Sequence, residues 1–257
     1  MKSVSILGVN IHHMTLKELV KIVKESVINV SVYEKPFIVT PNVDFLIKCQ
    51  EDHEFKYILN KATYAVADGM PLVWISRYYG NPLPEKVSGS SFFFKCLNEL
   101  NKTPKEKKRI FLLGGSSKEI LEKAIYYLSK DYINIEFSGY SPDFGFEKNV
   151  KMDNSIVEKI NQSDCDLLFI GLGAPKQEKW LFTHRHVLNY KIAMCVGATI
   201  DFAARAKKMP PDFIKIAGMG WLWRMVQDPK RLVKRYIFED IKYFYYVFLE
   251  RHGFRNF

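Results

Sequence analysis

The amino-acid sequence predicts an α/β protein, with a Rossmann-like, largely parallel sheet, helices on both faces and a helical C-terminal appendage. Two observations carry the core. Strand-sized apolar runs rich in β-branched and aromatic residues alternate with helix-period segments, the mark of βαβ units around a parallel sheet. Several of these runs also end at glycine, which allows the sharp turns found at strand ends. A third observation sets the tail apart. Residues 205–257 hold 12 Lys/Arg against 5 Asp/Glu, so they supply +7 of the chain's net +10.

In chain order, Phe37–Thr40 reads as a strand, Val43–Lys48 as a helix, Tyr64–Ala67 as a strand ending at Asp68-Gly69, and Met70–Tyr79 as a helix. The second half opens with a strand over Arg109–Gly115. Ser116 and Glu119 then have capping-box spacing ahead of an apolar-periodic helix. Further strands are read at Asn134–Phe137, Cys165–Ile170 and Lys191–Val196. From Gly218 onward the pattern is helical, with Trp221, Trp223, Tyr236, Phe238 and the run Tyr243–Leu249 interleaved with basic residues. The chain therefore divides into an α/β core over residues 1–204 and a basic, aromatic, helical appendage over residues 205–257. The polar segment Asn101–Lys108 reads as a solvated loop ahead of a linker between halves.

Composition narrows the function classes. With 47% hydrophobic and 26% charged residues, a 257-residue chain can bury a substantial core and is not disordered. The first ten residues are too briefly apolar for a signal peptide. No apolar run approaches the roughly 20 residues of a membrane span, so a cytoplasmic protein with only peripheral membrane contact is expected. Cys49, Cys96, Cys165 and Cys195 lie far apart without a CxxC pair, which suits buried, reduced thiols. The six histidines have no metal-ligand spacing with nearby carboxylates. No metal and no cofactor are assigned.

In open α/β sheets ligands bind beyond the carboxyl ends of the strands, where loop amides and helix N-termini converge. Gly114-Gly115-Ser116 would let the backbone approach a phosphate or sugar closely, although a tight turn explains it as well. In Gly171-Leu-Gly-Ala-Pro-Lys-Gln-Glu178, Gly173 shapes a turn and Gln177 can hydrogen-bond a ligand; alternatively, Lys176–Lys179 is a solvated first helical turn. The spacing is not GxGxxG, which counts against a standard dinucleotide enzyme. Asp68 stands at a strand end before Gly69, where a general base is useful; it could equally cap the next helix. Asp201 closes Gly197–Asp201 at another strand end and would accept hydrogen bonds from a nucleobase or ribose, or cap a turn. On the tail, Arg224, Arg231 and Arg235 fall near one helical face with Lys234 beside them, a cationic stripe for a diphosphate or anionic headgroups. Charge with aromatics also suits single-stranded nucleic acid, and a solvated helix packed on the core is a third reading.

Five ordered segments, Thr40-Pro-Asn-Val-Asp-Phe-Leu46, Ala67-Asp-Gly-Met-Pro-Leu-Val-Trp74, Gly171–Glu178, Gly197-Ala-Thr-Ile-Asp-Phe202 and Trp221-Leu-Trp-Arg224, together resemble the WecG/TagA/CpsF glycosyltransferase family. The resemblance spans nearly the whole chain. It implies inverting, metal-independent transfer from a UDP-sugar, typically of the N-acetylmannosamine type. The implied acceptor is a sugar on undecaprenyl diphosphate, in teichoic-acid or surface-polysaccharide synthesis. An appendage that docks on the inner face of the cell membrane is implied as well. By position, Asp68 matches the base that deprotonates the acceptor hydroxyl. Thr40, Asn42 and Gln177 match polar residues lining the pocket, and Tyr140 and Asp201 match nucleotide contacts. Arg224, Arg231 and Arg235 or Lys234 then supply the cations that a metal-free site needs at a diphosphate, a role that suits arginine's planar fork.

The sequence also departs from the family pattern. Lys86 stands where arginine is usual, Ser91 where aspartate is usual, Arg205 for a glycine and Gly220 for a glutamate. These changes leave the exact sugar open, Lys86 and Ser91 falling around the same pocket, so N-acetylmannosamine is retained as the family's commonest donor while a glucosyl or uronic-acid donor stays open. The expected partners are a UDP-sugar, a polyprenyl-diphosphate-linked sugar and the membrane surface, with no nucleic acid. An aromatic strip on the tail also suits self-association. The competing readings are a nucleic-acid-binding module and a catalytically idle sugar-nucleotide-binding protein. Deleting the tail after about Gly218 is expected to release the protein from anionic liposomes and leave the core folded.

Overall fold

The computed structural model describes residues 1–28, 35–102, 107–208, 211, 214, 220–227, 229 and 241–254. The chain opens with an antiparallel hairpin, β1 (Ser3–Ile6) and β2 (Val9–His12), which the sequence pattern does not announce. Its two-residue turn holds Leu7 at φ 51 and Gly8 at φ 76. Asn-Gly or Asp-Gly is the usual signal for such a turn. Here an apolar leucine takes the left-handed position and is fully buried.

Six parallel strands build the main sheet in the order β4-β3-β8-β7-β5-β6. They are β3 (Phe37–Val39), β4 (Tyr64–Ala65), β5 (Lys108–Gly114), β6 (Ile135–Tyr140), β7 (Leu167–Gly171) and β8 (Ile192–Cys195). The expected Rossmann-like, parallel, doubly covered sheet is therefore the observed one. Its central strands read as unbroken apolar runs because both faces are buried. In β7, Leu168 and Ile170 join one core cluster while Leu167 and Phe169 join the other. The same alternation runs through β3 and β8, so each strand feeds two cores with period two.

One face is covered by α1 (Leu16–Ile28), α5 (Gly89–Asn101), α6 (Lys118–Asp131) and α9 (Thr199–Ala203). The other carries the hairpin with α2 (Val43–Lys48), α3 (His53–Lys61), α4 (Met70–Tyr78), α7 (Val150–Ser163) and α8 (Lys176–His184). Side-chain caps start several of these helices: Asn42, Asp52, Ser88, Ser117 and Asn149 each accept from a backbone N–H in the first turn. The cap of α6 is Ser117, one residue after the Ser116 that the capping-box spacing selects. The Ser116 N–H, which a capping box would offer to Glu119, is given instead to the Asp201 carboxylate at 3.0 Å. All four cysteines are free and buried, as their spacing implied.

In the tail, α10 (Gly220–Gln227) and α11 (Ile241–Arg251) are described. No described helix is long and apolar enough to cross a membrane. α11 returns to the core, where Tyr243 is fully buried and Val247 is in the same apolar cluster as Phe45, Leu72 and the hairpin. Glu250 fastens it by accepting from the Leu7 N–H at 3.0 Å and the Tyr79 hydroxyl at 2.5 Å. That contact explains how an apolar residue is tolerated at the hairpin turn. Deletion after about Gly218 would strip Tyr243 and Val247 from the interior, which weighs against the expectation that the core stays folded without the tail.

The carboxyl ends of the strands are crowded. A Cβ on Gly114, whose φ is +123, would lie 2.4 Å from the Gly171 carbonyl oxygen of the neighbouring strand. Gly114→Ala is therefore expected to cost about 2 kcal/mol or more, through backbone strain and forced separation of β5 from β7. The measurement is a urea titration, with a lower midpoint at unchanged slope.

Candidate active site

Because all six strands run the same way, the segments after them gather along one edge of the sheet. Strand succession steps outward from β5 to β6 and then returns to the other side of β5 with β7 and β8. That reversal makes a topological switch point, where a crevice opens beyond the strand ends. Thr40, Asn42, Asp68, Gly114, Gly115, Tyr140, Gly173, Gln177 and Asp201 all lie on this edge, in or just beyond the segments that end the strands.

At one end of the edge, β3 and β4 run on past their last ladder pair. Val66 N–H donates to Val39 O at 3.1 Å and Asp68 N–H to Pro41 O at 2.8 Å, bringing Asp68 beside Thr40, Pro41 and Asn42. Ala67 O accepts from Val87 N–H at 2.7 Å, so Asp68 and Lys86 flank one backbone hydrogen bond. The N-cap of α4 is Gly69, at φ 144, and not Asp68. Asp68 is half-buried, and Thr40 is buried. Asn42 has a structural duty, since its Oδ1 accepts from Phe45 N–H at 3.1 Å and starts α2.

In the middle, Gln177 is buried and works as a clasp. Its Oε1 accepts from Gly173 N–H at 3.3 Å and Gly197 N–H at 3.2 Å, tying the turn after β7 to the turn after β8. Its Nε2 donates to Glu178 Oε1 at 2.6 Å. The first turn of α8 is therefore not merely solvated. Gln177 and Glu178 point inward, while Lys176 pairs with Glu147 at 3.1 Å and Lys179 with Asp52 at 2.9 Å.

Asp201 sits in the first turn of α9, buried, and both of its oxygens are engaged. Oδ1 accepts from Ser116 N–H and Oδ2 meets Lys207 Nζ at 2.6 Å. It thus fixes the Gly114-Gly115-Ser116 turn against α9. Tyr140 ends β6 at the opposite sheet edge from β4, with Lys159 Nζ 5.2 Å from its ring centroid. Five strand spacings separate these edges, about 24 Å. Tyr140 and Asp68 therefore cannot contact the same sugar ring. Of the tail cations, Arg224 lies on α10, and Arg231, Lys234 and Arg235 lie outside the described residues.

A model of the glycosyl transferase WecG/TagA/CpsF family matches residues 4–256. The chain belongs to that family. Among curated relatives, proteins of Staphylococcus aureus strains MW2 and MRSA252 are each 31% identical to it over 229 residues. The matched region covers 89% of this chain and 86% of each relative. Both relatives carry the name N-acetylglucosaminyldiphosphoundecaprenol N-acetyl-beta-D-mannosaminyltransferase. This WecG/TagA/CpsF-family chain is thus a glycosyltransferase.

Residue-by-residue reading of the transferase sequence passed over two features of the edge. The start of α5 is one: Ser88 Oγ accepts from Ser91 N–H at 3.2 Å and bonds Ser91 Oγ at 2.8 Å, and Gly89 packs against the Val196 backbone just after β8. The Ser-x-x-Ser spacing ahead of an apolar-periodic helix was the available signal. The buried Glu178 is the other. Within the transferase, Asp201→Ala removes a hydrogen bond to a backbone amide and strands that amide. A loss of about 1–3 kcal/mol is expected, against a smaller loss for Lys207→Ala, whose side chain is half exposed; thermal unfolding of the two variants checks the order.

Proposed function

We propose that this transferase moves N-acetylmannosamine from a UDP-linked donor to N-acetylglucosamine on undecaprenyl diphosphate, with inversion and without a metal ion, in assembly of wall teichoic acid or a surface polysaccharide. The observation that carries this reading is Asp68, a half-buried carboxylate at a strand end beside Thr40 and Asn42 that is not the cap of the helix behind it. The names of the Staphylococcus aureus relatives supply the substrate pair.

In this mechanism Asp68 takes the proton of the acceptor hydroxyl as that oxygen attacks the anomeric carbon. The bond from that carbon to the UDP oxygen breaks on the opposite face, which inverts the centre, and negative charge grows on the departing diphosphate. That charge needs partners. The backbone amides of Ser116, Gly173 and Gly197 are already bonded inside the protein, to Asp201 and Gln177. Cationic side chains are a further source, which favours Lys86 and the tail's Arg224, Arg231, Lys234 and Arg235 for the diphosphates. Tyr140, at the far edge, then belongs to the nucleoside end of the donor.

The acceptor's lipid calls for contact with the inner face of the cell membrane. α11 suits it: Tyr243 and Val247 face the core, while Phe244, Tyr245 and Phe248 are exposed. On α4, exposed Trp74 and Tyr78 extend the same face, with the Arg251 guanidinium 5.7 Å from the Tyr78 ring centroid. Aromatic and basic side chains on one face match a headgroup layer.

Incubation with UDP-N-acetylmannosamine and a short-chain lipid-diphosphate N-acetylglucosamine should release UDP, with undiminished rate in EDTA. Asp68→Asn should lower kcat by about 10²–10⁴ while UDP still binds. Absence of UDP release from any donor by the intact protein would overturn the assignment. Phe244→Ser with Phe248→Ser should cut sedimentation with anionic liposomes several-fold without lowering the melting temperature, the surface changes avoiding the damage of truncation.

A further inference from the structure

The Gln177 clasp depends on a neighbour that the mechanism above does not use. Two backbone donors, Gly173 N–H and Gly197 N–H, converge on Gln177 Oε1, so the amide can face them only with its oxygen. The NH₂ group must then be received on the opposite side. Glu178 Oε1 receives it at 2.6 Å. Glu178 is fully buried, and its Oε2 has no hydrogen-bond partner among the described residues. A carboxyl this deep, with one oxygen in use and the other orphaned, is costly to keep unless it has a task.

We propose that Glu178 is a positioning residue of the donor site: its carboxyl holds the Gln177 amide in the one orientation that ties the turn after β7 to the turn after β8. The proposal rests on the transferase reading for its effect on the donor, but the clasp itself is a property of the fold. With the clasp closed, the ends of two central strands keep a fixed separation. With it open, Gly173 and Gly197 lose their common acceptor and the floor of the crevice spreads.

The surroundings set the protonation state in which the clasp rests. Burial pushes the Glu178 carboxyl up to about 7, against which the Gln177 hydrogen bond and the Lys48 ammonium act. Lys48, from α2, is itself held by Asp44 at 2.8 Å. The Cys49 thiol at the end of α2 and the Cys195 thiol of β8 also face the group, and both are pushed up in turn. On α8 itself, Lys179 is directed to Asp52 and Glu54, and Lys176 to Glu147. A carboxyl raised by folding binds its proton more tightly in the native than in the unfolded chain. Its contribution is therefore fully present below the unfolded value of 4.5, is lost as pH rises towards about 7, and is level above that.

Three variants test this. Glu178→Gln keeps an acceptor for Gln177 and stays uncharged at every pH. It should retain the wild-type KM for UDP-N-acetylmannosamine at pH 6, and its melting temperature should overtake the wild type's progressively between pH 4.5 and 7. Glu178→Ala should raise KM about tenfold with kcat changed less than threefold, and Gln177→Ala should do the same. Hydrogen exchange at the Gly173 and Gly197 amides should quicken at least tenfold in both alanine variants and stay slow in Glu178→Gln. This exchange readout needs no substrate, so it separates failure of the clasp from failure of the transferase reading. Unchanged exchange at both glycines in Glu178→Ala would overturn the proposal. So would Gly173 and Gly197 amides that exchange at least tenfold faster in Glu178→Gln than in the wild type, a test that stands even where the alanine variants do not fold.

Discussion

Three neighbouring strands of this fold end closer together than side chains allow. A Cβ on Gly114 would meet the Gly171 carbonyl oxygen at 2.4 Å, and one on Gly171 would meet that of Gly197 at 2.6 Å. Only glycine lets the backbones of β5, β7 and β8 converge in this way. Everything else on the catalytic edge is built on that convergence. Gln177 spans the second of the two gaps with one carbonyl oxygen, and Asp201 locks the turn after β5 to α9. The amides at these glycine turns are consequently spent on internal bonds. The edge has a braced floor in which the Ser116, Gly173 and Gly197 amides are already engaged.

Much of the sheet was legible in the residues because parallel strands buried on both faces leave long apolar runs, as in Leu167–Ile170. The hairpin was not, because Leu7-Gly8 lacks the usual turn signal and is held by Glu250, more than two hundred positions away. No local window contains that contact. The position of the edge was equally legible, since every glycine-ended run marks a strand's carboxyl end. What each residue does there was not. Asn42 and Asp201 look alike as polar residues at strand ends, yet one caps α2 and the other ties two loops. Asp68 could have been a cap on pattern alone; the backbone gives the N-cap position to Gly69. For Glu178 a solvated helical turn stayed open as an alternative, because helical phase in so short a segment does not reveal which side is buried.

The departures from the family pattern fall at the periphery of this floor. Ser91 lies in the first turn of α5 and bonds the hydroxyl of Ser88, the helix cap, at 2.8 Å. An aspartate there would bring a negative charge to the helix start, where the backbone dipole welcomes it. Serine keeps the polarity and gives up the charge. Lys86 likewise keeps the charge of the usual arginine and gives up its paired donors. The scaffold beside them is held by glycine, glutamine and two buried carboxyl groups.

The bridge from Glu250 to Leu7 and Tyr79 joins the first turn of the chain to its last described helix. Synthesis proceeds from one end to the other, so the buried turn at Leu7 waits for a partner made more than two hundred residues later. This face is therefore completed only once α11 has been made. An unfinished chain lacks α11, and with it the exposed aromatic face of Phe244, Tyr245 and Phe248. The buried turn and the aromatic face are in this way completed by one and the same helix.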